Sequence, residues 1–96
     1  MTTPCADREL DQIEDRFHAA TTALGAGPLA DRVRAVWLDR DVIDGCVYVG
    51  DLDEIVDVTG DQVVVRFARR GVRTPDEQLQ YAVEHLTAAL AAGAQL

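Results

Sequence analysis

The sequence predicts a small α+β domain: a three-stranded antiparallel sheet packed against two or three helices in the order α-α-β-β-β-α. Three observations carry this. Apolar residues recur at helical steps near both ends of the chain, two Val-rich runs meet at Gly60-Asp61, and charge changes sign at that turn. Asp41 to Asp61 holds seven carboxylates and no basic residue, whereas Gln62 to Pro75 holds four arginines and no acid.

The first helix is expected from about Pro4 or Asp7 to Leu24, because Leu10, Ile13, Phe17, Ala20 and Leu24 draw one apolar stripe. Acids crowd its first half, where the helix dipole favours them. Gly25, Gly27 and Pro28 end it. Residues 29–39 read as a second, short helix opened by Pro28, since strict alternation fails across 35–38. Cys46–Val49 is a short strand between Gly45 and Gly50. Glu54–Thr59 and Gln62–Ala68 then form a hairpin.

A two-residue turn fixes the hairpin register: Thr59 opposite Gln62, Val58 opposite Val63, Asp57 opposite Val64, Val56 opposite Val65, Ile55 opposite Arg66 and Glu54 opposite Phe67. Val56, Val58, Val63, Val65 and Phe67 share one face, expected to be the core face. Asp57, Val64 and Arg66 lie on the other, with Asp57 and Arg66 diagonal to one another. The last helix opens on Thr74-Pro75-Asp76-Glu77, a capping box with proline at the first helical position. Leu79, Ala82 or Val83, Leu86 and Leu90 are its expected buried stripe.

Ninety-six residues suit one domain, 1–96, with 1–6 expected as a flexible tail. Five aromatics (Phe17, Trp37, Tyr48, Phe67 and Tyr81) leave the core to Val, Leu, Ile and Ala, and a core this thin is expected to be completed in a homodimer. A net charge of −8 argues against nucleic-acid or anionic-membrane binding. All basic residues are arginine, which fits codon bias in a GC-rich bacterial or phage genome. No signal peptide is evident, so the cytoplasm is the expected location, with both cysteines reduced.

The chemistry expected of this chain is sparse. Asp51, Asp53, Glu54, Asp57 and Asp61 miss the calcium-loop pattern, because the sixth and twelfth positions are Val56 and Gln62. Cys5, His18, Cys46 and His85 lack the close-spaced pairs of a zinc site. The acidic surroundings of Cys46 disfavour its thiolate, so it reads as a buried structural residue. Serine is absent, as is any Gly-rich phosphate loop. No catalytic set, metal centre or cofactor is expected.

Gly50-Asp51-Leu52-Asp53 with Gln62–Phe67 resembles a fragment of the SnoaL-like cone fold, whose longer curved sheet is missing here. The Gly-Asp hairpin, Arg70-Gly71, Thr74-Pro75 and the closing helix are similar to small docking domains of peptide synthetases, without the helix that precedes the hairpin there. Neither resemblance assigns a residue a role.

The expected function is therefore that of a small acidic, non-enzymatic interaction module: a regulator, adaptor or inhibitor that binds another protein. Its expected partner surface is Asp57, Val64 and Arg66 on the free sheet face, with Arg69, Arg70 and Arg73 exposed on the following loop. Two alternatives stand beside it. One is a small-molecule-binding protein or minor biosynthetic enzyme with a pocket between helices and sheet near Trp37, Tyr48 and Phe67. The other is a DNA mimic built on the acidic surface.

Overall fold

The computed structural model describes residues 4–50, 56–65 and 71–96. Two helices, α1 (Pro4–Leu24) and α2 (Pro28–Leu38), precede four strands and a last helix, α3 (Pro75–Ala91). The strands are β1 (Asp41–Ile43), β2 (Cys46–Val49), β3 (Val56–Thr59) and β4 (Gln62–Val65), joined antiparallel in the order β1-β2-β3-β4. The α+β class is as expected, but the sheet has four strands rather than three. The unforeseen strand, β1, is three residues long, and its hairpin to β2 turns on Asp44 and Gly45, both at positive φ (53° and 80°). That pair of angles is the type I′ geometry whose twist matches a hairpin.

The β3–β4 hairpin has the register read from the sequence, Thr59 with Gln62 through Val56 with Val65. Gly60 alone of its turn pair has positive φ (60°), the type II′ pattern. The expected pairings of Ile55 with Arg66 and Glu54 with Phe67 lie outside the described residues.

Residues 28–38 are helical, with Pro28 in the first turn and no side-chain cap. The α1 stripe packs as its spacing implies: Ile13 and Phe17 are buried, and Leu10, Ala20 and Leu24 lie against the core. Phe17 stacks on Trp37 of α2 at 4.2 Å with 13° between ring planes. The Arg40 guanidinium covers the Trp37 ring at 4.4 Å and reaches Glu14 of α1 at 3.5 Å. None of the three helices carries a basic residue in its last turn. Arginines from elsewhere serve their terminal carbonyls instead: Arg34 bonds Thr21 and Gly25 at the end of α1, Arg40 bonds Trp37, and Arg16 bonds Ala91 of α3.

Helix α3 lies between the other helices and the sheet. It contacts α1 and α2, and it packs on β2 and β3. Val83, Thr87, Ala88, Leu90 and Ala91 are its buried residues, and Thr87 satisfies its buried hydroxyl on the Val83 carbonyl at 2.7 Å. One expectation for this stripe fails: Leu79 is 45% exposed. Of the two residues open at the next step, Val83 takes the core position and Ala82 faces solvent. Leu79 lies in the first helical turns, before α3 reaches the described part of the sheet.

Val47, Val49 and Val58 are buried under α3, but Val63 (38% exposed) and Val65 (46% exposed) are not, although the core face was their expected place. Both belong to β4, an edge strand, and the helix covers the central strands.

The capping box at Thr74 is formed as expected: the Glu77 amide donates to Oγ1 at 3.1 Å, and the Thr74 amide donates to the Glu77 carboxylate at 3.0 Å. Thr74→Ala removes the cap at a cost of about 1 kcal/mol. In thermal denaturation the midpoint should fall by roughly 4–8 °C for a domain of this size, with Thr74→Ser close to wild type.

Candidate functional site

The structure separates the residues expected to form a pocket. Trp37 is 4% exposed and filled in against Phe17. Tyr48 alternates with the buried Val47 and Val49 along β2, so it stands on the opposite face of the sheet. The two cannot line one cavity, and Phe67 lies outside the described residues.

Of the expected partner surface, Arg66, Arg69 and Arg70 also lie outside the described residues. The backbone of Asp57 pairs with Tyr48 on one side and Val64 on the other. Val64 is 36% exposed on the face turned away from the helices. Arg73 differs from expectation. Rather than standing exposed on a loop, it is half-buried, with its guanidinium 4.3 Å above the Tyr81 ring and Nη1 3.4 Å from the Gln78 side chain. It anchors the approach to α3.

Strand β4 presents exposed backbone and exposed apolar side chains together. In a hairpin closed by a two-residue turn, the flanking pair Thr59 and Gln62 exchanges both backbone hydrogen bonds. Alternation makes Val58 with Val63 the non-bonded pair, so the N–H and C=O of Val63 point away from β3, and those of Val65 do likewise. Among the described residues no other backbone group meets them. Every residue of β4 is exposed, and Gln62-Val63-Val64-Val65 contains no charge and no proline. Edge strands in stable monomers ordinarily carry such a block.

The far edge is less open to pairing. Val42 and Ile43 of β1 are also exposed, but Asp41 and Asp44 bracket them. Ile43, Cys46, Tyr48, Thr59, Gln62 and Val64 share the face turned from the helices with the register positions of Asp41 and Asp57, so that face mixes apolar, polar and acidic residues. Cys46 was expected to be buried; it is half-buried, and the Thr59 hydroxyl donates to its sulfur at 3.4 Å. Exposure was thus foreseen at Val64 and missed at Val63 and Val65. Their signal was the ratio of elements: one helix in contact with the sheet is too narrow for a hairpin at its margin.

Among the described residues no three His, Cys, Asp or Glu side chains converge as metal ligands, and no helix is long and apolar enough to cross a membrane. Comparison with protein-family models, curated proteins and solved structures found no match to this chain.

The Arg73 arrangement has a measurable consequence. Arg73→Ala gives up the contact with Tyr81, worth roughly 0.5–1 kcal/mol at a site of this exposure. Urea denaturation should show that loss, while Arg73→Lys should retain part of it. Unchanged stability in the alanine variant would return Arg73 to the set of residues available for docking.

Proposed function

We propose that this chain is a non-enzymatic protein–protein interaction module that docks by pairing an extended strand of its partner with the β4 edge. The observation that supports this reading is the open, uncharged Gln62–Val65 edge, with the backbone groups of Val63 and Val65 aimed outward. Main-chain hydrogen bonds supply the attachment on this reading, and the half-exposed valines supply apolar contact. Val64 and the register position of Asp57 lie on the adjoining face, and Arg66, Arg69 and Arg70 follow β4 closely enough in sequence to meet carboxylates on the partner.

A second copy of the chain suits the same edge. An antiparallel pairing of β4 with itself places Val64 on a two-fold axis and extends the sheet across both protomers. Because β4 is uncharged, this is also where two chains of net charge −8 can approach with least repulsion.

Val63→Pro is the discriminating variant. Proline there removes an N–H that points away from β3, so the internal ladder keeps its bonds, and the preceding Gln62 is already extended. The variant should keep the wild-type circular dichroism spectrum and melt within a few degrees of wild type. It should lose self-association in sedimentation experiments, or lose the partner retained by the tagged wild-type chain. Association that survives both Val63→Pro and Val64→Asp would place the interface elsewhere. A wild-type chain that stays monomeric and retains no partner removes the reading altogether.

A further inference from the structure

The face of the sheet turned from the helices has a charge pattern of its own. The described strands and their turns, residues 41–50 and 56–65, hold Asp41, Asp44, Asp57 and Asp61 and no basic residue. Asp41, Asp44 and Asp61 have no ion-pair partner among the described residues. The arginines nearest in the fold are committed elsewhere. Arg16 bonds the Ala91 and Gly60 carbonyls, and Arg40 serves Glu14 and the Trp37 ring.

Register sorts this face into rows that cross the strands. One row runs through Asp41, Tyr48, Asp57 and Val64. It sets an aromatic residue between two acidic positions and ends on valine at the open edge. Tyr48 is half-buried, and Asp41 and Val64 are exposed. In the adjacent row the Thr59 hydroxyl reaches the Cys46 sulfur at 3.4 Å, so side chains within a row touch across strands. Helix α3 covers the other face, where Val47, Val49 and Val58 are buried.

A strand added at β4 lengthens the row by one residue. Val64 and Asp57 are a hydrogen-bonded pair, with Cα atoms about 5.5 Å apart. The added residue beside Val64 therefore belongs to a non-bonded pair, about 4.5 Å across, where side chains stand closest. It lies about 10 Å from Asp57 between Cα atoms. An extended basic side chain closes that gap with its stem across Val64, and a short one does not. A carboxylate there would meet like charge along the row. Arginine suits the row better than lysine, because its flat guanidinium both forks onto a carboxylate and lies against an aromatic ring.

On the premise that a partner strand pairs with β4, we propose that this strand belongs to a different chain and places an arginine beside Val64. Its guanidinium is directed along the row toward Asp57 and Tyr48. A second copy paired about Val64 puts valine at that position and leaves the acidic row without a counter-charge.

The probe is the peptide acetyl-Thr-Val-Arg-Val-Thr-amide, which reads the same in both directions and sets valines beside Val63 and Val65. Titrated into the isotope-labelled chain, it should shift the backbone amides of Val63, Val65 and Tyr48 saturably. Replacing its arginine by norleucine keeps the stem and should weaken binding about fivefold, the loss expected of an exposed ion pair with a ring contact. A glutamate peptide should bind more weakly still. The arginine advantage should shrink in Asp57→Asn and, for the wild-type chain, in about 0.5 M salt. Equal binding of the arginine and norleucine peptides, the result expected where this chain's own Arg66 serves Asp57, overturns the proposal and leaves the β4 edge standing. An arginine advantage unchanged both in Asp57→Asn and in salt does the same. Silence from every peptide at about 10 mM also overturns it. If the silent chain is a dimer that Val63→Pro dissociates, the edge belongs to a second copy; if it is a monomer, docking at β4 falls as well.

Discussion

The structure depends on how much sheet one helix can cover. A helix with its side chains is about 10–12 Å across, and neighbouring strands lie about 4.8 Å apart. One helix therefore shelters roughly two strands. Here α3 is the helix whose packing on the sheet is extensive, and it lies on β2 and β3. Val47, Val49 and Val58 are buried beneath it, while Val42, Val63 and Val65, at inward register positions on the outer strands, remain exposed. The open β4 edge follows from this width rather than from any property of the β4 sequence.

With so much resting on one helix, its placement is fixed at two points. At its C-terminus, Arg16 of α1 donates to the Ala91 carbonyl and to the Gly60 carbonyl in the β3–β4 turn. Near its middle, Glu84 lies against Gly50 at the end of β2, where an added Cβ would press on its side chain. The arginines serve this framework more than they serve the surface. Arg16, Arg34 and Arg40 each bond helix-terminal carbonyls, a task for which the planar, many-donor guanidinium is better suited than an ammonium group. The chain carries arginine and no lysine, and the geometry of the helix ends accounts for where several of the arginines are used.

Much of the fold was legible because its signals are local. The α1 stripe, the proline that opens α2, the capping box at Thr74 and the β3–β4 register each depend on residues within a few positions of one another. Strand β1 was legible in part: Asp44-Gly45 is a strong hairpin signal, but Val42 and Ile43 between two aspartates are too short a run to announce a strand. Burial was less legible. Alternation correctly puts Val63 and Val65 on the inward side, with Val58, yet whether an inward residue is covered depends on helix placement, which no local pattern encodes. Arg73 and Tyr48 illustrate the same limit, since cation–π stacking on Tyr81 and the handedness of the β2 pleat relative to α3 are settled only by tertiary packing. A hydrogen-bonded relay from Arg32 through Gln80 to Glu84 joins residues 48 positions apart and left no mark on either segment alone.

Two surface features break local rules in ways that stability alone does not explain. An edge strand is easily blocked, since one lysine or proline at an outward position costs little and removes a hazard of aggregation. Strand β4 carries valine at both outward positions. Asp39 at the C-cap opposes the dipole of its own helix, where asparagine would be nearly isosteric and free of that penalty. A chain selected only to fold would lose nothing by correcting either feature. Rule-breaking residues of this kind concentrate where a protein meets something else, and here they occur in two separate places. The β4 flank supplies unpaired backbone and apolar surface, which suit a polypeptide partner. The α2–α3 flank instead presents three charged side chains, Arg32, Asp39 and Glu84, around a short apolar strip that lines a cleft. The β4 edge and the cleft share no residue, so each can be altered by substitution without touching the other.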